Sequence, residues 1–159
     1  MRLFSALTGA LLAAPVAAGA TEPLSFGDWT AFCARDAGCA LATAAEDGHR
    51  LAFSEPNHGE DRMVFLPLEP IERGSEVTIL IDGQPGAKLG PGDGWRMVDM
   101  PGGAAAQIAP SIAENELMVR MPAGSSLEVR YKGESGEERK ATLSLKGYAT
   151  ARAYVTNRQ

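Results

Sequence analysis

The chain has 159 residues, 45% of them hydrophobic and 22% charged, which is ordinary globular usage and excludes wholesale disorder. Twenty acidic residues against 15 basic ones leave a net charge of −5, the wrong sign for unspecific attachment to nucleic acid or anionic lipid. Eighteen glycines, ten prolines and few aromatics favour a turn-rich β protein over a helical bundle, and two cysteines are too few for a disulfide scaffold or a Cys-only zinc site.

Met1-Arg2 supplies a positive start, Leu3 to Ala18 forms an apolar run, and Ala18-Gly19-Ala20 places small residues where a signal peptidase reads them. This is the pattern of a secretory signal peptide, residues 1–20, cleaved after Ala20 to leave residues 21–159 as one domain in the periplasm or outside the cell. An anchor is disfavoured, because a bilayer span needs ~20 strongly apolar residues and this run is shorter and rich in Ala and Gly. No cysteine follows it for lipid attachment, and no later segment reads as a transmembrane anchor.

The first strand candidate is Phe26–Cys33, the second Cys39–Thr43. Between them Cys33 and Cys39 enclose a short loop in which Asp36 and Gly38 suit a tight turn. In an oxidising compartment the two are expected to pair, a staple worth about 2 kcal/mol by loop entropy. Their C-x5-C spacing is not that of a redox C-x-x-C, and no second Cys/His pair follows at zinc spacing. Strand candidates continue with His49–Ser54 and Arg62–Leu68, separated by turn clusters at Glu46-Asp47-Gly48 and Pro56-Asn57-His58-Gly59.

Val77, Ile79 and Ile81 then alternate with Glu76, Thr78 and Leu80, and Asp82-Gly83 closes the run with a turn signal. Residues Gly83 to Gly103 read as a long Gly-rich loop holding one short strand around Trp95–Val98. Ser111 is placed to cap a helix, with Glu114 as capping-box partner and Ala113, Leu117 and Met121 at helical spacing, until Pro122-Ala123-Gly124 stops it. Leu127, Val129 and Tyr131 form one strand face, and Ala141, Leu143 and Leu145 another, joined by the hairpin loop Gly133-Glu134-Ser135-Gly136. Tyr148, Ala151 and Val155 share a helical face after Gly147. The expected fold is all-β, a β-sandwich or open barrel with one or two short helices.

Several of these segments resemble, in their order, the invasion-associated locus B family of exported bacterial proteins. The carriers are Phe26-Gly27-Asp28-Trp29 with Cys33 four residues beyond the tryptophan, Gly38-Cys39-Ala40-Leu41, and Leu143-Ser144-Leu145-Lys146-Gly147-Tyr148 before an alanine-rich helical tail. The resemblance covers about Phe26 to Val155 and implies a secreted or periplasmic β-sandwich-like domain with no established catalytic residues. The family commonly carries a second cysteine pair in C-x-P-x-G-C form. Here Asp99-Met100-Pro101-Gly102-Gly103-Ala104 keeps the proline and glycine but puts Asp99 and Ala104 at the cysteine positions, which marks a diverged member and predicts a looser segment over Trp95–Gly103.

Chemistry-bearing motifs are few. His49 and His58 with Glu55, Glu60 and Asp61 could hold a metal or act as acid and base, but they match no H-E-x-x-H spacing, and Pro-Asn-His-Gly is ordinary turn composition. There is no G-x-S-x-G elbow, Walker loop or dinucleotide fingerprint. Trp29 reads as core beside the cysteines. Trp95 reads either as a plug at the end of the sandwich or, with Arg96, as a partner-binding loop, both being residue types enriched at interface hot spots. Arg130, Lys132, Arg139, Lys140 and Lys146 form the wet face of a sheet, interspersed with Glu128, Glu134, Glu137 and Glu138. The expected function is therefore an exported, non-catalytic binding or accessory protein. It takes no cofactor, and its partner is a protein or polysaccharide of the envelope or host surface. The alternative is a small periplasmic, metal-dependent enzyme using the His49/His58 region.

Overall fold

Period-two alternation of apolar side chains along most of the chain produces two antiparallel sheets that share one core. The computed structural model describes residues 22–35, 38–55, 62–100 and 103–158; the expected signal peptide, His58 and Pro101-Gly102 lie outside the described residues. The larger sheet contains β1 (Leu24–Phe26), β2 (Trp29–Ala34), β3 (Gly38–Ala44), β4 (Arg50–Glu55), β5 (Arg62–Leu66), β8 (Trp95–Met100) and β9 (Gly103–Ile108), in the order β1-β2-β3-β4-β5-β9-β8. The smaller contains β6 (Val77–Ile81), β7 (Gln84–Leu89), β10 (Ser126–Lys132) and β11 (Glu138–Ser144), in the order β11-β10-β6-β7. A helical insert, residues 110–123, precedes β10, and a closing helix, Tyr148–Thr156, follows β11. The fold is an all-β sandwich.

The alternation decides which face is buried. Val77, Ile79, Ile81, Leu127, Val129, Tyr131, Ala141 and Leu143 point inward from the small sheet, against Ala31, Leu41, Leu51, Phe53, Met63 and Phe65 of the large one. Each tryptophan joins the two layers. Trp29 on β2 is fully buried, its ring tilted on Tyr148 at 4.9 Å, and its indole N–H donates to Ser144 O at 3.0 Å. Trp95 on β8 donates its indole N–H to Ser75 O, just before β6, at 3.2 Å. An indole buried without an acceptor would forfeit a hydrogen bond, and both find one on the opposite layer.

Cys33 and Cys39 are disulfide-bonded and stand directly opposite each other in the β2–β3 register. The helical insert buries Ala113, Leu117 and Met121, the face expected from their spacing, together with Met118. Its start differs from the expected cap. Ala109 is the N-cap and Pro110 the first helical residue, because proline lacks the N–H that goes unpaired there and is preset in φ. Ser111 thus lies inside the helix, where its carbonyl accepts from Asn115 Nδ2 at 2.8 Å. The closing helix buries Tyr148, Ala151 and Val155 as expected.

Two strand readings need correction. Phe26–Cys33 is not continuous, because Gly27 adopts φ +60° and turns the chain between β1 and β2. The stretch Gly83 to Gly103 is mostly strand rather than loop. Asp82 and Gly83 both take positive φ, 50° and 75°, the backbone of a two-residue hairpin turn, so the chain returns at once as β7. Ala87 and Leu89 are buried with Lys88 exposed between them, an alternation that the surrounding glycines and Pro85 hide. Only the Gly90–Gly94 connection separates β7 from β8, and β8 is laddered to β9 from Trp95↔Ile108 to Met100↔Gly103. Asp99 and Ala104, at the positions of the family's second cysteine pair, stand directly opposite each other in that ladder.

Asp82 also carries a pH dependence. Its carboxylate accepts main-chain N–H bonds from Ser125 at 2.9 Å and Ser126 at 2.9 Å, and these hold its pKa below the ordinary aspartate value. A carboxyl whose pKa is depressed by folding contributes stability above its unfolded pKa of about 3.9 and loses it as pH falls through the lower folded value. Asp82→Asn is therefore expected to flatten the acid limb of stability below about pH 4. Denaturant midpoints at pH 7 and pH 3 check this; an unchanged difference between them refutes the assignment.

Candidate functional site

The sequence offered two places to look, and the structure treats them differently. Trp95 and Arg96 begin strand β8 instead of sitting in a loop. Trp95 is 3% exposed and belongs to the core; of the pair only Arg96 reaches solvent, donating to Gln107 Oε1 at 3.2 Å. A small cavity of about 290 Å³ lies beside them, lined also by Gly92 and Ile108.

His49 is 4% exposed, not part of a solvated loop. Its Nδ1 lies 2.8 Å from Asp47 Oδ1 and its Nε2 2.8 Å from the Tyr131 hydroxyl. An ionised carboxylate only accepts, so Nδ1 carries the proton and Nε2 accepts from the Tyr131 O–H. The Glu46-Asp47-Gly48 turn that joins β3 to β4 sets this up, since Asp47 Oδ1 also accepts the His49 main-chain N–H at 3.2 Å. The ring stacks on Phe65 at 5.7 Å, and Tyr131 stands edge-on to both. The His49 bond holds the Asp47 carboxyl below its usual range. Burial, then the nearby Glu69 charge, pushes the Tyr131 phenol up.

Both His49 nitrogens are thus spent on protein partners, and no group of three or more metal-ligating side chains occurs among the described residues. The alternation of β10 places Tyr131 in the core, but no local pattern signals that it meets His49, 82 residues away. Tyr131→Phe is expected to lower stability by about 1–3 kcal/mol, because it leaves Nε2 buried without a donor. A urea titration measures this; a change below ~0.5 kcal/mol would show that the bond contributes little.

A third place was not anticipated. A groove of about 1010 Å³ runs beside β11, with Lys140, Thr142 and Ser144 on one wall and Thr30, Ala42 and Ala44 among the residues facing them. Ser125 and Ser126 close one end, and Asp47 and Arg50 also line it. Thr43 underpins the facing wall, since its buried hydroxyl donates to Asp28 O at 2.7 Å. Hydroxyls and small side chains make up most of the lining, with Asp28, Glu46, Asp47, Arg50 and Lys140 adding charges of both signs. The basic residues of β10 and β11 are largely paired: Glu128 meets Arg130 at 2.6 Å and Lys140 at 3.6 Å, Glu72 meets Lys132 at 3.0 Å, and Arg139 is held by Glu69 and Glu137.

Two of the segments that carried the family resemblance, Phe26–Trp29 and Leu143–Tyr148, meet in space beside this groove. Asp28 N–H donates to Lys146 O at 3.0 Å, Trp29 packs on Tyr148, and Phe26 packs on Tyr154 at 5.2 Å. Gly27 and Gly147 lie where these turns cross, and a Cβ on either would collide with the other turn's main chain. No helix of the described residues is long and apolar enough to cross a membrane. Comparison of the chain with models of known families, with curated proteins and with solved structures gives no match.

Proposed function

We propose that this chain is an exported, non-catalytic binding or accessory domain of the bacterial envelope or its exterior, of the kind its resemblance to the invasion-associated locus B family implies. The observation that supports it best is the open, hydroxyl-lined groove beside β11. Its volume is about 1010 Å³, and the buried His49 next to Asp47 on its rim is committed to internal hydrogen bonds. Such a surface can hold a partner through hydrogen bonds and charges of both signs. The disulfide between Cys33 and Cys39 suits an oxidising compartment.

The test has two arms. Protein recovered from periplasm or medium is expected to begin within two residues of Thr21; Met1 retained on envelope-purified protein defeats the export reading. Elemental analysis of the same sample addresses the enzyme alternative, because stoichiometric zinc or another transition metal would move the function to the His49/His58 region.

A further inference from the structure

The wall that β11 presents to the groove is an open sheet edge. The register sets Lys132 opposite Glu138 and Ser126 opposite Ser144. Just beyond each end of that ladder, Gly133 N–H donates to Glu137 O at 2.9 Å and Leu145 N–H to Ser125 O at 2.9 Å. Hydrogen-bonded pairs in an antiparallel ladder recur every second residue. The odd-numbered residues of β11 therefore spend their main-chain groups on β10, and Glu138, Lys140, Thr142 and Ser144 direct theirs away from it. Two independent contacts agree. Asp82 N–H donates to Ser126 O at 3.0 Å, which commits the even-numbered main chain of β10 to β6. On β11 itself, the even-numbered Ser144 O accepts from the Trp29 indole at 3.0 Å. The main-chain groups of Lys140 and Thr142 have no protein partner among the described residues, and both residues are exposed.

We infer that β11 is a strand-addition site, where an extended peptide segment of a partner protein pairs with Lys140 and Thr142 and lies in the groove between β11 and Ala42–Ala44. This rests on the binding-domain reading and specifies its partner as an extended polypeptide. Main-chain hydrogen bonds supply affinity in this mode, and alternate side chains supply selectivity. From Glu138 to Thr142 the edge runs about 14 Å at ~3.4 Å per residue, room for four or five residues of guest. Side chains of the guest on the groove side meet Ala42, Ala44 and Thr30, so small residues at alternate positions fit.

Charged residues on an edge strand often serve only to discourage pairing, and Glu138 and Lys140 could be read that way. Yet side chains stand perpendicular to a sheet while the ladder lies in its plane, so Lys140, drawn towards Glu128, leaves the edge itself uncovered. The second wall also decides between occupants. A single extended segment brings no sheet behind it, whereas a second copy would bring a whole sheet behind its own edge into the turn at Ala44–Asp47.

The probe is a phage-displayed library of random nine-residue peptides selected on the exported chain, followed by synthesis of the selected sequences. Binding of these peptides is expected to protect the Lys140 and Thr142 amides from hydrogen exchange and to change Ala141 and Leu143, already bonded to β10, little. Thr142→Pro, which removes an N–H directed into the groove and no bond to β10, is expected to weaken binding by about tenfold or more, while Arg96→Ala on β8 binds as wild type. Equal binding to Thr142→Pro, weakened binding to Arg96→Ala, or no peptide that protects the two amides overturns the proposal. So does protection of the same amides by rising protein concentration alone, which assigns the edge to a second copy. If Thr142→Pro does not fold, exchange on the wild-type chain decides. An N-terminus at Met1 would sink the export reading without touching this result, and absent peptide binding on a chain beginning at Thr21 would sink the edge alone.

Discussion

Trp95→Ala is expected to destabilise the protein by about 3–5 kcal/mol, the range for emptying a large aromatic site from a core. The indole is 3% exposed, opposite Ile108 in the β8–β9 ladder. Its N–H donates to Ser75 O on the other layer, so alanine leaves both a cavity and an unpaired carbonyl. The main chain around it is tightly returned, with Gly92 N–H donating to Trp95 O at 2.8 Å and Gly94 N–H to Gly90 O at 2.9 Å. A residue acting mainly as a surface contact would change stability by no more than about 1 kcal/mol. Arg96→Ala is the natural comparison, since Arg96 is exposed and its loss should stay within ~0.5 kcal/mol. Denaturant unfolding of the two variants separates the readings, and a Trp95→Ala loss below about 1 kcal/mol would return the indole to the surface role.

Gly147→Ala is expected to be at least as damaging, for a different reason. Gly147 has φ +90°, and a Cβ there would sit 1.8 Å from Phe26 O and 2.5 Å from the carbonyl carbon. The conformation alone costs a non-glycine residue about 1–3 kcal/mol. The collision adds to that, because backbone and not a flexible side chain stands in the way. Gly136 provides the control, with φ +84° and nothing within 4 Å of the same added atom. Gly136→Ala thus reads the conformational cost by itself, and the excess loss in Gly147→Ala reads the close approach of the two turns. Equal losses at the two sites would mean that the crossing relaxes freely.

The legibility of the sequence varied with the kind of information each feature needs. Strand faces such as Val77/Ile79/Ile81 and Leu127/Val129/Tyr131 were readable because burial on one face imposes a period of two. The Cys33–Cys39 pair was readable because it is local. Strand β7 was missed because Gly86, Gly90 and Pro85 blur the period and only Ala87 and Leu89 mark the buried face. The helix start was placed on Ser111 because a capping-box pattern was preferred to the proline beside it. The burial of His49 is not legible locally, since its neighbours in sequence are turn residues and its packing partners Phe65 and Tyr131 stand on other strands. The β11 edge is invisible to any local pattern, since which strand ends a sheet is settled only by the topology of the whole chain.

The crossing of Gly27 with Gly147 has a kinetic consequence. The indole of Trp29 reaches its acceptor 115 residues away, and Phe26 waits for Tyr154. Contacts separated so far in sequence are costly to close early and slow a two-state folder. While the chain is being synthesised or delivered, β2 can form its local hairpins with β1 and β3, but Trp29 stays uncovered until Tyr148 arrives. The junction therefore forms late, and until it does the partly folded chain presents an aromatic cluster and an open β11 edge together, the combination on which misassembly feeds.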